Sequence, residues 1–335
     1  MTASRTILVA IYSRFLAWNI PPANVAALRE RFPRHTWLHA RSHHEALEMA
    51  GAADIVFTAV LRPDVFAAAR KLQWIHSPAA GLEFILSPAV IESPVLVTNS
   101  RGLSADTIAE HALTVVLALF RKLPMAVEAQ RSRDWAQAVI VADTPLRTIA
   151  GSRVLIVGLG GIGLAVAQRF AALGARVDAV RRRPELARPS GIDRVVAPEH
   201  LIDLLPSADI VVLAAPETAA TRHLIGGREL AAMRPGSLLV NVSRGALIDE
   251  PALVSALAAP PSARTLAGAA LDVFEREPLT AESPLWSLPN VLITPHIAGF
   301  RPDHWDAVCA LFGDNLRRYD AGHPLINVVD KKEGY

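Results

Sequence analysis

Short apolar, β-branched runs alternate with Ala-rich helical stretches along almost the whole chain. The first series is Ile7–Tyr12, Thr36–His39, Asp54–Val60, Gln73–His76 and Val95–Thr98. The second is Arg153–Val157, Arg176–Val180, Ile210–Ala214, Ser237–Val242, Thr265–Leu271 and Val291–Thr294. Strands that alternate with helices predict parallel sheets covered on both faces, so two series predict two doubly wound α/β domains. Between them, Ser104–Leu123 has Ile108, Ala112, Val115, Val116 and Leu119 at helical spacing, with Ser104 placed to cap. Leu113, Val116, Leu117 and Phe120 make this connecting helix apolar over more than one face, more than one domain needs to cover. A second long helix, Asp303–Tyr319, carries Trp305, Val308, Leu311, Phe312 and Leu316 on one face and is expected to return the chain to the first domain. The expected division is 1–102 with 297–335 against 103–296, with hinges near Gly102 and Pro295. Pro184–Pro189 and Pro260–Pro261 read as surface loops.

The second series opens on Val154-Leu155-Ile156-Val157-Gly158-Leu159-Gly160-Gly161-Ile162-Gly163, an apolar run that breaks into spaced glycines and continues as a helix-like segment. Strand, tight turn and helix in that order suit a dinucleotide. Gly158 permits the turn, Gly160 lets a pyrophosphate approach the backbone, and Gly163 lets the helix pack close to the strand. The helix N-terminus offers N–H groups to phosphate. Ala175–Val180 closes the βαβ unit at the required distance.

With 335 residues and 51% hydrophobic composition, the chain is long enough to bury two sizeable cores. Lys+Arg 34 against Asp+Glu 32 is too balanced to suggest a nucleic-acid or membrane-surface partner. A single cysteine, Cys309, points to a reducing cytosol. Met1–Ile11 lacks the apolar core of a signal peptide, and no uninterrupted apolar run reaches the roughly 18 residues of a membrane span.

Three polar groups follow strands of the second series: Arg244 in Val242-Ser243-Arg244-Gly245, Glu277 before Pro278, and His296 after Pro295. Together they supply what carbonyl reduction requires: a fixed cation for a carboxylate, a proton donor, and a carboxylate that keeps the donor charged. Glu275 is a rival for the last role.

These motifs, with the glycine turn and Ala214-Ala215-Pro216-Glu217-Thr218-Ala219-Ala220-Thr221, resemble the D-isomer-specific 2-hydroxyacid dehydrogenase family. The similarity extends to Ser77-Pro78-Ala79-Ala80-Gly81, to Ala109-Glu110-His111 and to Pro324–Val329. The resemblance implies a Rossmann nucleotide-binding domain beside a flavodoxin-like substrate domain. It implies that Arg244 binds the substrate carboxylate and keto oxygen, that His296 exchanges the proton, and that Glu277 orients His296. The N–H groups of Ala80 and Gly81 would take the other end of the carboxylate. Cofactor contacts would come from Gly158, Gly160, Gly161, Ile162, Gly163, Ala215, Pro216, Thr221, Val242, Ser243, Asp272, His296 and Gly299, with Asp272 at the nicotinamide end. It also implies a homodimer formed through the nucleotide-binding domains, with the connecting helix in the interface. The chain stops soon after Val329, so no appended regulatory domain is expected.

One departure concerns the cofactor. NAD-preferring members carry an acidic residue after the second strand, where it binds the ribose hydroxyls. This chain has Arg181-Arg182-Arg183 there. A 2′-phosphate attracts arginine, so Arg181 and Arg182 favour NADPH, with NADH as the secondary cofactor. The expected activity is reduction of a short 2-keto acid such as glyoxylate or hydroxypyruvate in the cytoplasm. The alternatives are a phosphite- or formate-type dehydrogenase on the same scaffold, against whose formate form Glu277 speaks, and a nicotinamide-sensing corepressor-like binding protein.

Overall fold

The computed structural model describes residues 4–143, 145–260 and 265–334, so Pro261 of the Pro260–Pro261 loop lies outside the described residues. The chain divides into two compact units, 1–103 with 301–335 and 104–300. Residues 297–300 fall in the second unit rather than the first, because the Asp272 carboxylate accepts from the N–H groups of Ile297 and Ala298.

The first unit is built on five parallel strands: β1 (Thr6–Ala10), β2 (Thr36–His39), β3 (Ile55–Thr58), β4 (Trp74–His76) and β5 (Leu96–Thr98), in the order β2-β1-β3-β4-β5. That is the flavodoxin-like order. Each expected run contains a strand: β2 keeps the expected bounds, β1 begins one residue earlier and ends two earlier, and β3, β4 and β5 are shorter than expected. β1 and β3 are apolar on both sides, so one cluster around Leu8, Val56 and Ile75 fills one face and another around Ile7, Phe57 and Trp74 fills the other. Helix His304–Asp320 seals the second face, with Phe312 stacked on Phe57 at 4.4 Å and on Trp74 at 5.3 Å between ring centroids.

The second unit has seven parallel strands: β6 (Arg153–Val157), β7 (Arg176–Val180), β8 (Arg194–Val196), β9 (Ile210–Leu213), β10 (Ser237–Asn241), β11 (Leu266–Leu271) and β12 (Val291–Ile293). Their order, β12-β11-β10-β9-β6-β7-β8, reverses between β6 and β9, the doubly wound pattern whose switch point is the ligand crevice. β8 escapes the sequence pattern because it is a short edge strand with no apolar run. It is pinned by Arg194, whose Nε and Nη2 donate to Asp178 on β7 at 3.0 and 2.7 Å.

The connecting helix spans Ala105–Phe120. Ser104 precedes it without a side-chain cap, contrary to expectation, and instead accepts from Thr107 and Ile108 through its carbonyl. Its apolar excess is also mostly covered within the unit. Val116 and Phe120 are buried and Leu113 packs beside them, in a core shared with Val166 and Phe170 of helix Gly161–Ala172. Only Leu117 of the expected interface set is exposed. The uncovered apolar surface comes just after it, where the chain turns at Lys122 into helix Leu123–Ser132. Leu123, Met125, Val127, Val139, Val141 and Leu146 are exposed, and Trp135 is 88% exposed. Among the described residues, no helix is long and apolar enough to cross a membrane.

Candidate active site

Because the strands of the second sheet are parallel, their C-terminal ends share one edge, and all the candidate residues of that unit follow those ends. The glycine turn has the geometry a dinucleotide needs. Gly158 follows β6 at φ +100°, a region that a side chain resists, and a Cβ there would sit 2.5 Å from the Ala215 nitrogen after β9. A Cβ on Gly163 would lie 1.9 Å from the Gly158 carbonyl oxygen, so helix Gly161–Ala172 packs against the turn only with glycine there. A Cβ at Gly160 or Gly161 would meet no atom of the described residues within 4 Å, which leaves open space over the first turn of the helix, where a pyrophosphate fits. Ile162 packs partly into the core behind it.

The turn after β9 is braced by side chains. Thr221 Oγ1 donates to the Pro216 carbonyl at 2.7 Å and accepts from the Thr218 N–H at 2.8 Å, while the Ser243 hydroxyl donates to the Ala215 carbonyl. After β7, Arg181 does not simply project. Its Nη2 donates to the carbonyls of Leu186 and Ala187, and its buried Nε has no hydrogen-bond partner among the described residues. Arg182 is exposed. Open glycine backbone, a braced turn and an arginine donor left unmatched fit a nicotinamide dinucleotide.

Arg244 is placed by two residues that sequence reading passed over. Asn241, fully buried at the end of β10, donates through Nδ2 to the Arg244 carbonyl at 2.8 Å and accepts from the Ser243 N–H at 3.1 Å. A polar amide closing the apolar run Ser237–Val240 was the available signal. Gly245 is the second: a Cβ there would fall 1.8 Å from the Phe274 carbonyl carbon, so only glycine lets the two loops meet. Val242 is buried behind them.

The two remaining groups meet directly. His296 Nδ1 lies 2.6 Å from Glu277 Oε2, both side chains about a third exposed, and Glu277 Oε1 accepts from the Phe274 N–H at 3.1 Å. Burial raises the Glu277 pKa, but the His296 hydrogen bond and charge, the Phe274 N–H and the Arg244 charge together outweigh it. The carboxyl is held below its ordinary range and stays ionised at neutral pH. Glu275 faces elsewhere, against His223 Nε2.

Asp272 organises the loop that carries His296. Its Oδ1 accepts from Thr294 Oγ1 at 2.6 Å and the Ile297 N–H at 3.0 Å, its Oδ2 accepts from the Ala298 N–H at 2.9 Å, and its carbonyl accepts from the His296 N–H at 2.9 Å. His296 itself sits in the left-handed region at φ +53°. Gly299 follows, where an added Cβ would be in ordinary contact with Ser104 and Ile108.

In the first unit, Ala80 and Gly81 follow β4 at the C-terminal edge of its sheet. Asn99 Nδ2 donates to the Ala80 carbonyl at 2.8 Å, the Ser100 N–H to the Ala79 carbonyl at 3.2 Å, and the Ser100 hydroxyl to the Ser77 carbonyl at 2.9 Å. Three hydrogen bonds thus tie this loop to the turn after β5. Among the described residues, the N–H groups of Ala80 and Gly81 donate to no protein acceptor. Behind them, burial pushes the pKa of His76 down to about 3, so this ring is a neutral partner of Thr98, 2.7 Å away.

A glycine-turn Rossmann unit with an arginine, a carboxylate and a histidine on adjacent strand ends defines a nicotinamide-dependent dehydrogenase. Residues 113–298 match the NAD-binding domain of D-isomer specific 2-hydroxyacid dehydrogenases. The chain is 32% identical to a glyoxylate reductase of Thermococcus gammatolerans over 328 residues, 95% of this chain and 96% of that one. It superposes with a TM-score of 0.82 and 30% identity on a D-isomer specific 2-hydroxyacid dehydrogenase of Xanthobacter autotrophicus solved with NADPH and MES, covering 99% and 100% of the two chains. An NADPH-dependent glyoxylate/hydroxypyruvate reductase of Sinorhizobium meliloti, solved with NADP and sulfate, gives 0.82 at 25% identity with the same coverage. The chain belongs to the D-isomer specific 2-hydroxyacid dehydrogenase family and is an NAD(P)-dependent oxidoreductase of small hydroxy and keto acids.

Proposed function

We propose that this enzyme reduces a short 2-keto acid of the glyoxylate or hydroxypyruvate type to the D-2-hydroxy acid, with NADPH preferred and NADH accepted. The observation that carries this reading is the 2.6 Å contact between His296 Nδ1 and Glu277 Oε2, close enough to Arg244 for its charge to act on Glu277. A bound reduced nicotinamide supplies the hydride. The chain's own residues do the rest. The Arg244 guanidinium pairs with the substrate carboxylate and polarises the keto oxygen, in a bidentate geometry that lysine does not reproduce. With Nδ1 committed to Glu277, His296 delivers its proton from Nε2 to that oxygen, and takes it back in the reverse direction. Within the first unit, the N–H groups of Ala80 and Gly81 suit a carboxylate. Gly158, Gly160, Gly161, Ile162 and Gly163 would hold the pyrophosphate, Arg181 and Arg182 the 2′-phosphate, and Ala215, Pro216, Thr221, Val242, Ser243, Asp272 and Gly299 the remainder. Support for the substrate class comes from the glyoxylate reductases among the relatives. A steady-state panel of 2-keto acids with each cofactor tests it: glyoxylate or hydroxypyruvate with NADPH should give the highest kcat/KM, and a panel without turnover would sink it.

Glu277→Gln should move the pH profile. The imidazolium loses its counter-charge, so keto acid reduction, which needs the protonated ring, fails at lower pH on its alkaline side. Oxidation, which needs the neutral ring, extends further into acid. Glu275→Gln should leave both limbs in place, and the reverse pattern would reassign the carboxylate.

A homodimer formed through the second unit completes the proposal. The exposed apolar side chains of Leu117, Leu123, Met125, Val127, Trp135, Val139, Val141 and Leu146 are the surface that such an interface would cover. Light scattering at micromolar concentration should give twice the chain mass, and Trp135→Asp should shift the population towards monomer. A monomeric parent protein would contradict it.

A further inference from the structure

On the edge of the second sheet, one histidine is joined to the candidate proton donor without touching it. His111 lies on the connecting helix, and its Nε2 is 3.0 Å from Thr294 Oγ1. Thr294 Oγ1 is 2.6 Å from Asp272 Oδ1, and His111 Nε2 stands 3.7 Å from the same oxygen. Thr294 Oγ1 donates to Asp272 Oδ1, so its single hydroxyl hydrogen is spent there. The hydroxyl oxygen is then the acceptor towards the histidine, and His111 Nε2 is the donor. Burial lowers the His111 pKa more than the Asp272 charge raises it, which suits a neutral ring carrying its proton on Nε2.

The chain of donors ends at the loop that matters. Asp272 holds the N–H groups of Ile297 and Ala298 through its carboxylate and that of His296 through its carbonyl. His296 sits between these anchors in a left-handed conformation that a side chain adopts only when its surroundings impose it. The orientation of the Asp272 carboxylate therefore sets the His296 backbone, and Thr294 with His111 sets the carboxylate.

We propose that His111 and Thr294 are positioning residues, a hydrogen-bond relay from the connecting helix that fixes the Asp272 carboxylate and through it the angle at which His296 is presented to the keto oxygen. This rests on His296 being the proton donor. A misplacement of the donor by a fraction of an ångström lowers the chemical step more than the binding of either ligand.

The test compares Thr294→Val and His111→Leu with Thr294→Ser and His111→Gln, each of the latter pair keeping a group able to continue the relay. Wild type and His296→Ala run in parallel, and each protein is measured for kcat and KM with the keto acid, for NADPH affinity by fluorescence titration, and for Tm. The relay predicts that Thr294→Val and His111→Leu lose about ten- to a hundredfold in kcat, with NADPH affinity and keto acid KM within about twofold of wild type. Thr294→Ser and His111→Gln should recover most of that loss. If His111→Leu does not fold, Thr294→Val decides alone. A folded Thr294→Val enzyme with wild-type kcat overturns the relay, as does a kcat loss that Thr294→Ser does not relieve, or a loss confined to NADPH affinity. Wild-type turnover by His296→Ala would instead remove the premise, which separates failure of the relay from failure of the functional reading.

Discussion

His296→Ala should turn over glyoxylate or hydroxypyruvate at least about a hundredfold more slowly than the parent enzyme, the scale on which a general acid contributes. NADPH binding should survive. The side chain is about a third exposed, so its loss opens no buried cavity, and the loop backbone remains held by Asp272. Glu277 keeps the Phe274 N–H as a partner. The loss should therefore fall on kcat, with the NADPH dissociation constant by fluorescence titration little changed. Near-normal turnover would show that the proton comes from elsewhere, and a lost dinucleotide affinity would show that His296 serves the cofactor instead.

Cofactor choice should respond almost as strongly to the arginines after β7. A charge-assisted contact to a 2′-phosphate contributes about ten- to a hundredfold in affinity. Arg181 also braces the following loop through the Leu186 and Ala187 carbonyls, so Arg181→Asp removes a brace along with a charge. Arg182 is exposed, and Arg182→Ser removes its charge. The NADPH Michaelis constant should rise in both variants, and Arg181→Asp should place NADH ahead of NADPH, because a carboxylate repels phosphate and accepts from ribose hydroxyls. The change should shrink as salt is added, because exposed charges are screened. Equal kcat/KM for the two cofactors in the unaltered enzyme would reduce the arginine run to a solvated turn.

Much of this was legible in the sequence because of how parallel sheets are made. Strands buried on both faces are continuous apolar runs, and each run ends where a glycine or polar residue begins the loop that holds the site. Gly158, Arg244 and His296 all stand at such breaks. The edge strand Arg194–Val196 was not legible, since an edge needs no apolar run and is held here by the Arg194–Asp178 pair. Nor was the partner of each apolar face on the connecting helix. Spacing shows that Val116 and Phe120 are buried, but not that helix Gly161–Ala172 shares their core while the exposed surface lies further on. Side-chain pairings across long sequence distances were the least visible. Asn241 with Arg244 is local and could have been read, but His111 with Thr294, and Asp272 with the loop beyond His296, exist only once the sheet brings its strand ends together. The choice of Glu277 over Glu275 rested on the resemblance, and the geometry that distinguishes them is the turn after Phe274, which sends one carboxylate to His296 and the other to His223.

The most direct test of D-specific keto acid reduction is the product formed from hydroxypyruvate and NADPH by the purified parent enzyme, resolved by chiral chromatography. The expected result is D-glycerate, formed mole for mole with NADPH consumed. L-glycerate, a mixture of the two enantiomers, or NADPH consumption without glycerate would contradict the placement of Arg244 and His296 as carboxylate anchor and proton donor.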